Sequence, residues 1–367
     1  MKKFIPWVAS FLLLLSQFFL VHFARSHPQW TEQVYSRQTY PVIARFLDVL
    51  QRYLPFSLAE MLLLFLILVS VGYIAKSVQR LYLDSEFTLW VFAKSFITKV
   101  LFLAMSISLL FQLIWGLNYY RLPLPDLLGL TVEETEPTHL RQVLEALIPE
   151  TNRLRAEMKE SGNGSMTLSG SLVYYLQKAP EWYQTGLFAE TFPILELQAP
   201  AKPVVFSGIM SFTQIVGVYF PFTGEANINI NVPDYQILAT IAHEIAHRHG
   251  FAREDEANFL AWLVCHQSYI SPEAQYSGNM LALSYALSAY YRAAPEDYSN
   301  VYELLSEGVQ RDFRHGNAFW AQYEGPVEQL STEINNQYLQ GQDQTDGVQS
   351  YGRMVDLLIA YYRSSQP

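Results

Sequence analysis

The chain holds a single cysteine, Cys265, among 367 residues. One thiol cannot build an intramolecular disulfide framework, a multi-cysteine zinc finger or a redox pair, so the cysteines carry no mark of a compartment. Basic residues are also scarce: 24 Lys and Arg stand against 34 Asp and Glu, a formal net charge of -10. Nucleic acid demands clustered Lys and Arg against its phosphates, and no basic stripe occurs outside the segments flanking apolar runs, so that partner is excluded. There is no internal repeat. What is plentiful is apolar, 50% of the residues, which at this length suffices for a membrane section and a folded domain.

The apolar residues are unevenly spread. Three runs, near 4–23, 56–75 and 98–116, each approach the ~20 residues that cross ~30 Å of hydrocarbon. A cleavable signal peptide would need a small-x-small site after the first run. The sequence instead continues Val21-His22-Phe23-Ala24-Arg25, which favours an anchor. Lys2 and Lys3 precede the first run, and Lys76, Arg80, Lys94 and Lys99 surround the second connection, so the excess of Lys and Arg puts both on the cytoplasmic side. Arg25, Arg37, Arg45 and Arg52 in the first connection oppose that asymmetry. Three crossings from a cytoplasmic N-terminus leave the remainder outside. The expected division is a membrane section over 1–117 and an extracytoplasmic domain over 118–367, with the lipid bilayer as one partner.

Within the second part, Leu140, Val143, Leu144 and Leu147 recur at helical spacing, so Thr138 to Met158 reads as a helix, broken by Ser161-Gly162-Asn163-Gly164-Ser165. Short β-prone pieces follow at Val204 to Phe206, Ile215 to Phe220 and Ala226 to Ile230, suggesting a small antiparallel sheet. The last of these could line a cleft and pair with an extended peptide, or be an ordinary edge. Beyond Ser271 further helices are expected over Met280 to Tyr291, Asp297 to Phe313 and Tyr351 to Tyr362.

The run His243-Glu244-Ile245-Ala246-His247 carries the chemistry. Residues four apart in a helix share a face, so His243 and His247 can offer two imidazoles to one ion. Zinc takes nitrogen ligands at about 2.0–2.1 Å and, in catalytic sites, keeps one position open for water. Glu244, beside the first ligand, can take that water's proton as general base during attack on a carbonyl. Ile237, Leu238, Ile241 and Ile245 fall on the opposite side of the wheel, so the helix has an apolar face of its own and does not need the histidines for packing. Gly250 is placed to stop the helix, giving metal helices near 234–249 and 254–268.

The third ligand should come from the returning segment. If it is helical, Glu254 shares a face with Ala257, Asn258 and Ala261, small residues that permit close approach, whereas Glu256 projects with Phe259, Leu260 and Leu263. Glu254 is the expected ligand, Glu256 the alternative, and Asn258 the expected hydrogen-bond partner of a ligand imidazole. Asp255 suits the first turn through the helix dipole. His249 faces away from the pair, which fits a surface or capping role. Cys265 and His266 lie three turns beyond Glu254, too far for the same ion, and Cys265 reads as a buried apolar residue. Tyr276, Tyr285, Tyr290, Arg314 and His315 are the candidates for stabilising an oxyanion.

The pattern His243-Glu244-x-x-His247 with Glu254-x-x-Ala257-Asn258 resembles the zinc signature of gluzincin peptidases, with a shorter interval, only six residues, between His247 and Glu254. The Gly250 turn is similar to that of metzincins, whose third ligand would fall at Arg253, a residue that cannot bind zinc. The three spans, Asn118-Tyr119-Tyr120-Arg121, the stretch Tyr219 to Asn227 and the metal segment together resemble a bacterial membrane family catalogued as domain-of-unknown-function family 3810, which implies a bacterial plasma membrane protein. The expectation is an α-helical membrane section of three transmembrane helices followed by an α+β zincin-like metallopeptidase domain, mostly helical with a small antiparallel sheet. It would bind Zn2+ and hydrolyse a peptide or protein substrate. Two other readings are a silent zincin-fold receptor or assembly factor, and an intramembrane protease. The second is disfavoured because Arg248, His249 and Arg253 crowd the metal helix.

Overall fold

In the computed structural model, residues 5–84, 88–133, 135–193, 195–267 and 270–364 are described. The expected ends at residues 4, 268 and 367 lie outside them. Three long helices are apolar enough to cross a membrane: α1 (Ile5–Ser26), and, after the connecting helix α2 (Tyr40–Gln51), α3 (Leu58–Leu83) and α4 (Leu89–Ile114). Nearly all their large apolar side chains face outward, as a lipid environment requires. Ser57 and Thr88 cap α3 and α4, each hydroxyl accepting a first-turn N–H, from Glu60 and Val91 respectively. The third span starts nine residues earlier than expected because Lys94 and Lys99 lie within the helix; Lys99 Nζ sits 4.9 Å from the Tyr73 ring centre of α3. Between α1 and α4, Gln17 donates to the Ser108 hydroxyl at 2.8 Å.

The connection between the first two spans is not a simple loop. Pro28–Trp30 leads into a π-wound stretch, Thr31–Thr39, and then α2, and this whole run packs on the C-terminal part of the chain. Asp48 accepts from the backbone N–H groups of Gln198 and Ala199 and forms a buried 2.6 Å pair with Arg248. Lys202 Nζ donates to the carbonyls of Gln51 and Leu54, and Glu32 pairs with Arg121 at 2.7 Å. The Glu225 carboxylate caps α3 from outside, accepting from Leu58 and Ala59 N–H. The connection between the first two spans is thus held against the C-terminal part of the chain by buried polar contacts.

That domain is mostly helical. Its outer layer includes α5 (Pro137–Glu157), close to the expected 138–158, and α6 (Leu172–Trp182). A three-stranded sheet follows, β1 (Lys202–Pro203), β2 (Gly217–Phe220) and β3 (Glu225–Ile228), in the order β1-β3-β2. β2 and β3 are antiparallel, with Val218 opposite Asn227, but β1 runs parallel to β3, so the sheet is mixed rather than antiparallel. β3 lies in the middle with both edges occupied and all four residues buried, which removes it as a peptide-pairing edge. Then come α7 (Asp234–Arg248), α8 (Glu254–Cys265), α9 (Pro272–Ala293), α10 (Glu307–Ala321), α11 (Pro326–Gly341), a 3-10 stretch at Gly347–Arg353, and α12 (Met354–Ser364). Ile237, Leu238, Ile241 and Ile245 bury the apolar face of α7 as the wheel predicts, in a core shared with Trp262 of α8 and Leu283 of α9.

Candidate metal centre

The first metal helix ends as its glycine requires. Gly250 has φ +84, its N–H reaches the His247 carbonyl at 3.0 Å, and the next N–H, of Phe251, reaches Ala246 at 3.2 Å, which is the double bond pattern of a Schellman turn. Four residues later α8 begins, and the reversal lays its first turn against the last turns of α7. Glu254 thereby meets both histidines. His243 Nε2 and His247 Nε2 are 3.1 Å apart, and Glu254 Oε2 lies 3.2 Å from the first and 3.5 Å from the second. Three donors at about 2.05 Å on a tetrahedron around zinc would be about 3.3 Å from one another. The observed triangle has that size, so the residues fit the ion.

Orientation of the donors follows from their surroundings. The Phe251 carbonyl, released by the Gly250 turn, lies 2.7 Å from His247 Nδ1; a proton held there leaves Nε2 free to coordinate. Asn258, the expected partner of a ligand imidazole, donates instead to the Tyr351 carbonyl at 3.2 Å, while His243 Nδ1 is buried without a hydrogen bond. Glu256 is committed elsewhere, accepting from Leu124 N–H at 2.8 Å and Arg253 at 2.9 Å. Burial raises Glu254, but the His247 charge and hydrogen bonds from both imidazoles outweigh it and draw the carboxyl down to about 2. Burial opposes protonation of His247, and the Glu254 charge overcomes it, raising the imidazole to about 9.

Glu244 stands beside the triangle, buried, and burial pushes its carboxyl up. It is clasped from the sheet: the Tyr219 backbone N–H of β2 donates to it. A Cβ on Gly217 would lie 2.5 Å from Glu244 Oε1, so only glycine lets β2 pass this close. The strand at the site is therefore the outer strand β2, not the 226–230 stretch read from the sequence.

The roof comes from the end of the chain. The Tyr351 ring stacks on His243 at 6.5 Å, Gln344 Oε1 accepts the Glu254 N–H at 3.1 Å, and Tyr119 and Tyr338 share a 3.1 Å hydroxyl contact. Both carboxylates, Glu254 first, help to hold the Tyr351 phenol protonated after burial itself. Of the five oxyanion candidates, Tyr285 reaches this neighbourhood, bonded to Asn258. Tyr276 and Tyr290 instead donate to Asp312 and Asp297, and Arg314 and His315 ride on α10, which packs against α5. Tyr351 was missed because 104 residues of chain separate it from His247.

The far side of α7 is held by membrane-proximal residues that no motif marks. Trp115 Nε1 donates to the His247 carbonyl at 3.0 Å, Tyr40 Oη to that of Arg248 at 2.8 Å, and Arg121 Nη1 to that of Gly250 at 3.0 Å. His249 is the C-cap residue, and its ring is buried rather than on the surface, stacked on Tyr183 at 5.0 Å and lowered to about 3 by burial and then the Arg248 charge. Cys265 is buried, and His266 stacks on Trp262 at 5.1 Å, away from the triangle.

A three-span helical membrane section fused to a mostly helical domain with a small mixed sheet is the class this architecture defines. Within that class the chain belongs to the family described as "Protein of unknown function (DUF3810)", whose model matches residues 35–359. That match begins inside the first connection, in keeping with the connection's place in the domain. No curated protein and no solved structure matches the chain.

Proposed function

We propose that the protein is a membrane-anchored zinc metallopeptidase of the HExxH type, hydrolysing peptide bonds at the outer face of a bacterial plasma membrane. The observation that carries this reading is the triangle of His243 Nε2, His247 Nε2 and Glu254 Oε2, with Glu244 beside it. Zinc held there supplies a Lewis acid and lowers the pKa of a water to about 7. Glu244 accepts the proton of the attacking water at its carboxylate and returns it to the leaving amine, so that one water is consumed as one C–N bond breaks. The Tyr219 N–H and Gly217 keep that carboxylate in place. Tyr351, whose ring stacks on His243, is the phenol assigned here to stabilising negative charge on the substrate carbonyl oxygen. β2 stands at the edge of the sheet, the kind of place where an extended substrate pairs.

The sidedness proposed is N-terminus cytoplasmic and C-terminal domain extracytoplasmic. Packing supports three crossings: the first connection packs on the C-terminal part of the chain, so the two share a side; the sidedness itself rests on the Lys and Arg of the second connection. The arginines that blurred the charge asymmetry are engaged in that packing, Arg37 with Glu32, Arg52 with Asp48, Arg45 with the Leu195 carbonyl and Arg25 with Asp343.

The test uses the full chain in detergent or nanodiscs, measuring bound zinc and casein cleavage. Wild type should bind one equivalent and cleave; Glu244→Gln should keep the zinc and lose cleavage. Equal cleavage by Glu244→Gln would sink the peptidase mechanism. Zinc binding with no cleavage by wild type would favour the silent receptor.

A further inference from the structure

Helix α11 carries an apolar stripe on the wrong face for a soluble helix. Leu339 is its buried residue, whereas Val327, Leu330 and Ile334, at spacings of three and four, form an exposed stripe, with Leu330 61% and Ile334 59% exposed, that leads to Tyr338, whose hydroxyl meets that of Tyr119. A second exposed apolar group, Val205, Phe206, Ile209 and Phe212, lies on the turn after β1. The two are joined, because the Phe212 ring meets Tyr323, just ahead of α11, edge-on at 5.1 Å.

Both ends of this arc are tied to the spans. At one end the Glu60 carboxylate, in the first turn of α3, accepts the N–H groups of Val205 and Phe206 at 2.9 and 3.0 Å. At the other the Tyr338 ring meets Phe111, near the end of α4, at 6.3 Å, and Asp343 pairs with Arg25 at the end of α1. The start of α3 and the ends of α1 and α4 mark the same face of the bundle. The arc therefore runs around the spans at the level where they leave the hydrocarbon.

We infer that the apolar face of α11, with the 205–212 turn, lies in the lipid interface as a fourth membrane contact that does not cross. The occupant is the bilayer because the patch is continuous with the transmembrane surface. Its polar face is Glu, Gln, Asn, Ser and Thr with no Lys or Arg, so docking rests on apolar insertion and not on anionic headgroups. α11 also carries Asn335, whose amide reaches the Tyr351 hydroxyl at 3.5 Å, so lipid contact bears on the roof of the metal centre. Lipid contact by this face requires neither zinc nor peptide cleavage.

The experiment places a nitroxide on Leu330→Cys, Ile334→Cys or Gln329→Cys in the full chain, with buried Cys265 left in place, in neutral phosphatidylcholine vesicles. Collision with oxygen should exceed collision with a water-soluble nickel chelate at 330 and 334, and the order should reverse at 329, on the polar face. Adding anionic lipid or salt should leave the pattern unchanged. Water-like accessibility at all three positions would overturn the inference and leave the stripe as a wall of a solvent-filled groove. Spin coupling between copies at 330 and 334 would overturn it in favour of a self-association face.

Discussion

The indole N–H of Trp115, one residue past the end of the third span, donates to the backbone carbonyl of His247 at 3.0 Å. The turn that carries His247 is thereby fixed directly to the third apolar helix. Trp115→Phe keeps the ring contacts and removes that one bond, worth about 0.5–1.5 kcal/mol net. Zinc affinity should fall several-fold in a competition titration with a chromophoric chelator, while the thermal midpoint in detergent shifts by only a few degrees.

Gly217→Ala tests how closely β2 passes the proposed base. The added methyl has no room beside Glu244 Oε1, so the carboxylate must shift. Displacing a reacting group by about 1 Å costs on the order of 10²-fold in rate. Zinc stoichiometry should stay at wild-type level as cleavage drops; undiminished cleavage would remove Glu244 from that place in the mechanism.

The two acids competing for the third ligand position separate by substitution. Glu254→Gln should lose zinc. Glu256→Gln should retain it and lose stability by about 1–3 kcal/mol, since it breaks a buried charge-assisted network with Leu124 N–H and Arg253. Metal analysis of both variants decides, and the reverse pattern would transfer the ligand role to Glu256.

Much of this site was legible in the sequence because its parts are local. His243, Glu244 and His247 share one helix, so helical spacing brings them together, and Gly250 ends it, with Glu254 four residues further on at the start of the returning helix. The spans were legible for the same reason, as continuous apolar runs. What escaped notice depends on distance along the chain. β1 has two residues and no periodicity to read. Asn258 shares the metal face but answers to Tyr351, which arrives from the end of the chain. In the first connection Arg45 and Arg25 find their partners, the Leu195 carbonyl and Asp343, only in three dimensions.

Acid should strip the metal. Protons compete with a cation for the imidazole nitrogens of His243 and His247, so lowering the pH releases zinc and raising it again restores binding. Zinc release followed by a fluorescent indicator checks this, and Tyr351→Phe, which leaves all three donors intact, should release zinc over the same pH range while cleaving about 10²–10³-fold more slowly.

The buried pair of Asp48 and Arg248 predicts that a fragment of residues 118–367 will not fold alone. Asp48→Ala in the full chain leaves Arg248 an uncompensated buried cation and should cost about 3–5 kcal/mol. Loss of the cooperative melting transition for the fragment, and a lowered midpoint for the variant, are the expected readings.

The same pair sets a timetable for biosynthesis. Asp48 and Arg248 are 200 residues apart. At roughly 5–20 residues per second, about 10–40 s pass between their appearances at the ribosome. The first connection must wait without its partners while two more apolar helices, the sheet and α7 are made. During that interval its apolar faces and its paired-to-be arginines are open to proteases and to other chains. The domain is thus assembled from its two ends, and a cell making this protein has to shelter the early half until the late half arrives.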